Sequence, residues 1–386
     1  MKSLLISAIA ISATLWTVAA NSGGQTNPEL IPTPYSNYLQ EDFQSYLEET
    51  TQWIRENRLY RTENKNLEVA VNSPFEFKPA KPEKGVLLIH GLSDSPYSFI
   101  DISGRLYEQG FLVRTVLLPG HGGKPADLMI PTIDNWLELI AHHTALLQQE
   151  VDQVWVGGFS TGANLAMIEA MNNPEVDGTL LFSPAFISQK PIDFLAPYAK
   201  HFIDWADNDP EVSITRFESL TMNGAALFYE SSKMVREQLE QTPYDKPVFL
   251  TLSESDSVVD VERVYQYFNE NLLNQHNHLT WLGERTFEED KVSSYSMNLP
   301  EQRISSASHM SVLYSPTNQF YGSEGSIRIC NNGQSQSKED ACNEGAETWF
   351  ASFDYTESDR IYARLTWNPY FEESMLDMMG VISSIQ

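Results

Sequence analysis

The pentapeptide Gly158-Phe159-Ser160-Thr161-Gly162 is the segment of this sequence best suited to chemistry. The apolar run Val154-Trp155-Val156-Gly157 precedes it, and a helical pattern runs from Thr161 to Asn172. That setting reads as a serine on a sharp strand-to-helix turn. Gly158 and Gly162 supply the small neighbours such an elbow needs, because its backbone is strained and closely packed. A hydroxyl held there is placed to attack an acyl carbon, and the helix N-terminus favours the negative charge that develops. GxSxG alone is a weak signal. The strand before it and the helix after it give it weight.

A nucleophilic serine needs oxyanion donors, a base and an acid. One donor is expected from Thr161 N–H and a second from a loop after an earlier strand. Val86-Leu-Leu-Ile-His-Gly-Leu92 fits that loop, with Leu92 N–H aimed into the site. Histidine is the natural base, since its pKa lies near working pH. The sequence holds eight. His90 and His121 belong to glycine-rich turns, and His142 and His143 to a long helix. His201 lies in an aromatic-rich insertion, and His276 and His278 follow a helix. His309, in Ser306-Ala-Ser-His-Met-Ser311, is late in the chain and flanked by small residues. The order serine, acid, histidine that accompanies this kind of elbow selects His309. For the acid, Asp256 follows the strand Pro247-Val-Phe-Leu-Thr-Leu252; Glu254 competes, and Asp260 reads as a helix N-cap.

The elements that must position these groups are legible as a rhythm. Strands are expected at 85–90, 111–118, 153–159, 179–182 and 247–252. Helices are expected at 98–109, 132–150, 161–172 and 261–273. Apolar strands alternating with helices imply an α/β fold with a mostly parallel sheet covered on both faces. Before this rhythm, residues 38–57 read as a helix and 67–77 as strand broken at Asn72-Ser73-Pro74. Residues 185–245 interrupt it as a mainly helical insertion rich in aromatics, which reads either as a lid over a site or as extra packing. The core therefore comprises residues 38–184 and 246–315, and residues 316–386 form a C-terminal extension too aromatic to be a disordered tail.

The outer segments and the charge bound the partners. Residues 1–20 carry a positive start, an apolar run and a Val18-Ala19-Ala20 end, the pattern of a cleaved signal peptide. Residues 21–37 read as a mobile leader. Export to the periplasm or medium is expected, with no stable membrane insertion after cleavage. A formal charge of −27 makes nucleic acid a poor partner. The two cysteines, Cys330 and Cys342, are expected to form one disulfide in an oxidising compartment, and no metal site is read from them.

Val86–Leu92, Pro119-Gly-His-Gly122, Gly158–Gly162, Asp256-Ser-Val-Val259 and Ser308-His309-Met310 together resemble the monoglyceride-lipase and serine-aminopeptidase-like branch of the α/β-hydrolases, close to bacterial carboxylesterases. The resemblance spans about residues 84–314. It implies the triad Ser160, Asp256 and His309, oxyanion donors at Leu92 and Thr161, and a cap at 185–245. It implies a small-molecule ester as substrate, with a hydrophobic group suggested by the aromatic cap, and no cofactor. The rivals are a serine aminopeptidase or amidase, which would need cap carboxylates such as Glu211, Glu218 or Glu230, and a non-catalytic binding protein on the same fold. Two features depart from the family pattern: the long separation of Asp256 from His309, and the long tail beyond His309.

Overall fold

A computed structural model describes residues 30–384. The expected signal peptide, and residues 21–29 of the expected leader, lie outside the described residues. The rest of that leader is fastened down rather than mobile. Thr33 N donates to Asp127 Oδ1 at 2.7 Å, Lys124 Nζ donates to Thr33 Oγ1 at 2.6 Å, and Tyr35 is buried.

The first helix, α1 (Phe43–Asn57), starts at its cap Asp42, which accepts Ser45 N at 2.8 Å. It starts later than the apolar spacing predicts because Tyr38 is buried in irregular chain ahead of it. The expected strand at 67–77 is mostly a helix, α2 (Lys65–Asn72), followed by a two-residue strand, β1 (Glu76–Phe77). Polar satisfaction decides this. Glu68 is fully buried, pairs with Arg58 at 2.9 Å, and accepts the N–H groups of Arg61 and Thr62 at 2.8 and 2.6 Å.

Thereafter strand and helix alternate: β2 (Lys84–Ile89), α3 (Ile100–Glu108), β3 (Phe111–Val116), α4 (Ile133–Gln148), β4 (Gln153–Phe159), α5 (Thr161–Asn172) and β5 (Gly178–Phe182). The cap follows, with α6 (Ala196–Ala199), the ribbon β6 (Trp205–Asp207) and β7 (Leu220–Thr221), and α7 (Met222–Gln241). The core resumes with β8 (Val248–Ser253), α8 (Val261–Glu270), β9 (His278–Leu282) and β10 (Val292–Tyr295). The main sheet has the order β1-β3-β2-β4-β5-β8-β9-β10, and every neighbour pair is parallel except β1 with β3. The cap is less helical than expected: residues between α6 and α7 are the short ribbon and irregular chain.

Strand periodicity divides the core into two layers. Leu87 and Ile89 of β2, with Val154 and Val156 of β4, face the layer containing Trp136, Leu165 and Phe268. Val86, Leu88 and Trp155 face the opposite layer. There α3 is joined by the C-terminal extension, which holds α9 (Gln336–Asn343), the parallel pair β11 (Trp349–Ala351) and β12 (Tyr362–Arg364), and α10 (Phe371–Ile382). Tyr314, Tyr321, Leu365, Trp367, Met375 and Met378 are buried in that layer. The tail therefore completes one face of the sheet. Cys330 and Cys342 in the extension are bonded, with Cα atoms 5.7 Å apart.

Candidate active site

Ser160 sits between the end of β4 and the first residue of α5, with φ 54° and ψ −117°. A non-glycine residue in that region is strained, and the surroundings hold it there. Its N–H donates to Phe182 O at 2.9 Å, and its carbonyl accepts from Ala163 N and Ala185 N at 3.0 and 3.3 Å. The flanking glycines are required by close approach. A Cβ on Gly158 would lie 2.2 Å from Gly162 C, and one on Gly162 would lie 2.1 Å from Ile89 O and 2.4 Å from His90 O. The start of α5 is thus pressed against the end of β2, the strand that delivers His90-Gly91-Leu92. Two motifs some seventy residues apart in sequence share one backbone contact.

Thr161 N–H is among the first four of α5, which have no intrahelical acceptor. Leu92 N–H makes no hydrogen bond among the described residues. The turn that carries Leu92 is clamped at Ser93, whose φ is 62°. Ser93 N donates to His121 Nε2 at 3.0 Å, and Ser93 O accepts Phe217 N from the cap at 2.7 Å. The His121 ring also stacks parallel to the Phe217 ring. Gly224 of α7 lies over Leu92, since a Cβ there would be 3.5 Å from Leu92 Cδ1.

His309 Nδ1 lies 2.6 Å from Asp256 Oδ2, so Nδ1 carries the proton and donates. Asp256 Oδ1 accepts from Val258 N and Val259 N at 2.7 and 3.0 Å, which fixes the carboxylate in its turn. Asp256 is buried, and the imidazole keeps slight exposure. The His309 ring packs on Phe159, the residue before Ser160, with centroids 4.9 Å apart. Ser183 Oγ donates to His309 O at 3.2 Å. No hydrogen bond joins Ser160 to His309 among the described residues. In unliganded sites such contacts are commonly long and tighten when substrate binds.

The competing residues are occupied elsewhere. Glu254 Oε2 accepts Trp281 Nε1 at 3.0 Å and Arg285 N at 2.9 Å. Asp260 caps α8, accepting Arg263 N at 3.1 Å. His90 Nε2 accepts Leu118 N at 3.1 Å while its Nδ1–H donates to Gly91 O at 2.8 Å. Burial pushes its pKa down to about 4. His121, donating from Nδ1 to Leu118 O at 3.1 Å, is likewise held neutral by burial, with the nearby His90 adding to the effect. Both rings serve as neutral braces. Asp94, just beyond the Leu92 turn, is pushed up to about 6 by burial, against the hydrogen bonds it accepts from Ser95 N and Ser98 Oγ. The roles of His121 and of Ser183 are not legible from residue types. The only sequence signal is the Pro119-Gly-His-Gly122 turn, which singles out His121 without saying what it holds.

Residues 80–208 match the family described as serine aminopeptidase, S33. The chain is 28% identical over 101 residues to a thermostable monoacylglycerol lipase of Bacillus sp. (strain H-257), covering 26% of this chain and 40% of that protein. It is 31% identical over 151 residues to a pimeloyl-[acyl-carrier protein] methyl ester esterase of Aromatoleum aromaticum, covering 36% and 57%. The chain thus spans roughly half the length of these two relatives. A solved structure from work on the metagenome-derived lipolytic enzymes LipS and LipT aligns with a TM-score of 0.48 at 19% identity, over 54% of this chain and 86% of that one. Its parallel sheet order and its serine elbow are similar to those of the α/β-hydrolases, and residues 80–208 match the serine aminopeptidase family over about a third of the chain.

Proposed function

We propose that this protein is an exported serine hydrolase that cleaves carboxylic esters through Ser160, His309 and Asp256. The observation that carries the reading is the 2.6 Å contact of Asp256 with His309 Nδ1, beside a serine held in a strained elbow. Asp256 fixes the tautomer that leaves His309 Nε2 with a free lone pair. As Ser160 Oγ bonds to the acyl carbon, its proton passes to His309 Nε2 and the carbonyl oxygen becomes an oxyanion. Leu92 N–H and Thr161 N–H hold that oxyanion. When it collapses, the carbon–oxygen bond to the alcohol breaks and His309 returns the proton to the leaving oxygen. Water then repeats the sequence on the acyl-enzyme.

The names of the relatives, a lipase and a methyl ester esterase, support an ester as substrate. The aromatic side chains of the cap, Phe186 and Phe217 among them, support an ester with a hydrophobic group. The aminopeptidase reading, which the family description favours, needs a free cap carboxylate for an α-ammonium. Glu211 accepts the N–H groups of Glu218 and Ser219, Glu218 is bonded to Arg216, and Glu230 lies 3.4 Å from Lys200. With those three engaged, ester hydrolysis is the better reading. The signal-like first 20 residues and the Cys330–Cys342 pair support export. A panel of short and medium acyl esters set against amino-acid anilides tests the substrate class. Turnover of the esters, lost in Ser160→Ala, is expected; turnover of the anilides alone overturns the ester assignment.

A further inference from the structure

The loop that carries His309 is held from two sides. From the sheet, Ser253 Oγ at the end of β8 donates to Ser308 O at 2.6 Å. From the opposite side the contacts come from the C-terminal extension. Ser308 Oγ and Ser311 Oγ both donate to the carbonyl of Leu365, at 2.5 and 3.0 Å. Ser311 Oγ also accepts Ser308 N at 2.8 Å, closing a small ring that brackets His309. Each of Ser308, Ser311 and Leu365 is buried, so no water replaces a lost partner cheaply. The contact continues on both flanks. Ser305 N donates to Phe350 O at 2.9 Å before the histidine, and Asn368 N donates to Tyr314 O at 2.8 Å after it. Leu365 itself follows β12 and is packed in the layer that the extension completes.

We propose that the C-terminal extension is a catalytic positioning element, and that Ser311 is the positioning residue through which the Leu365 carbonyl sets the place of His309. Ser311 touches no reacting atom. It acts by fixing the backbone on either side of the base, while Asp256 fixes the ring. A base displaced by a fraction of an ångström loses its reach to the serine while the substrate pocket is unchanged. The extension thus has a task in the reaction beyond covering the sheet, and the length of chain after His309 is part of the active site's construction. The proposal rests on His309 being the base, as argued above.

The test compares full-length wild type, Ser311→Ala, and Asp377→Asn. Asp377, on α10, accepts from Thr280 Oγ1 at 2.8 Å and Ser293 Oγ at 3.2 Å, so its substitution loosens the extension at contacts that do not involve the His309 loop. The readouts are the rate of Ser160 labelling by a fluorophosphonate, kcat and KM on a short ester, and Tm. Ser311→Ala is expected to slow labelling and kcat about tenfold or more with KM nearly unchanged. Asp377→Asn is expected to lower Tm with little change in kcat. If wild type labels and Ser311→Ala labels at the same rate, the positioning role is wrong and the hydrolase reading stands. An equal kcat loss in both variants at equal Tm loss also overturns it, by assigning the effect to stability. No labelling of wild type overturns both readings.

Discussion

Asp256 uses one carboxylate oxygen to hold His309 Nδ1 at 2.6 Å and the other to accept two backbone N–H groups of its own turn, Val258 and Val259. The ring is oriented by a group that is itself immobilised. Substituting Asp256 by Asn removes the acceptor that selects the tautomer while keeping the shape. The expected result is a fall in kcat of about 10³–10⁴-fold with the fold intact. Ester kinetics alongside circular dichroism check this, and a loss under tenfold would remove Asp256 from the mechanism.

Gly162→Ala places a methyl group within 2.1 Å of Ile89 O. Backbone cannot give way cheaply there, so a loss of at least about 1–3 kcal/mol is expected from overpacking. Denaturant melting measures it. Because the same contact aligns α5 with the Leu92 turn, the surviving folded protein should also react more slowly with acyl substrates.

His121 is neutral because Ser93 N–H occupies its Nε2 and burial opposes its protonation. His121→Ala removes the side-chain hydrogen bond that holds Ser93 N in the Leu92 turn. A drop in kcat of about 10–100-fold with a small change in KM is expected, short of the loss from deleting a donor outright. A large rise in KM at constant kcat would instead mark His121 as part of the binding pocket.

His143 is buried against Phe43 and Tyr46, donates from Nε2 to Tyr38 O at 2.9 Å, and has its pKa pushed down to about 3 by burial. Between about 6.5 and 3 the unfolded chain binds a proton that the folded chain refuses. Stability from this site is therefore complete above pH 6.5 and is lost as pH falls, by an amount on the order of 2–4 kcal/mol. His143→Gln, which keeps a donor for Tyr38 O, should flatten that slope in urea melts taken from pH 7 to pH 4.

Met378 on α10 is fully buried in the layer that the extension completes. Met378→Ala is expected to cost about 2–5 kcal/mol, the range for opening a cavity in a core. A change within about 0.5 kcal/mol, as for a surface site, would mean that α10 does not belong to the core.

The strands β2, β3, β4, β5 and β8 and the serine elbow were readable because parallel strands covered on both faces are continuous apolar runs bounded by glycine, whereas β9 and β10 at one end of the sheet were not expected. The place of Asp256 followed from the end of β8, and that of His309 from chain order. Helix α2 was not readable. Val69 and Val71 alternate like a strand, and the buried Glu68 makes the helix necessary by gathering Arg58 and the N–H groups of Arg61 and Thr62. In the cap, Ser213, Thr215, Phe217 and Ser219 are buried alternately, a period of two that small polar residues conceal. The aromatics of the tail announced a packed segment. Which sheet face they cover depends on Val86, Leu88 and Trp155, more than a hundred residues earlier.

Mass spectrometry of the folded protein after reaction with a fluorophosphonate tests the central claim most directly. The account predicts a single adduct on the peptide containing Ser160, absent in Ser160→Ala and strongly slowed in His309→Ala. Folded protein that takes up no adduct, or carries it on another serine with Ser160 unmodified, would contradict it.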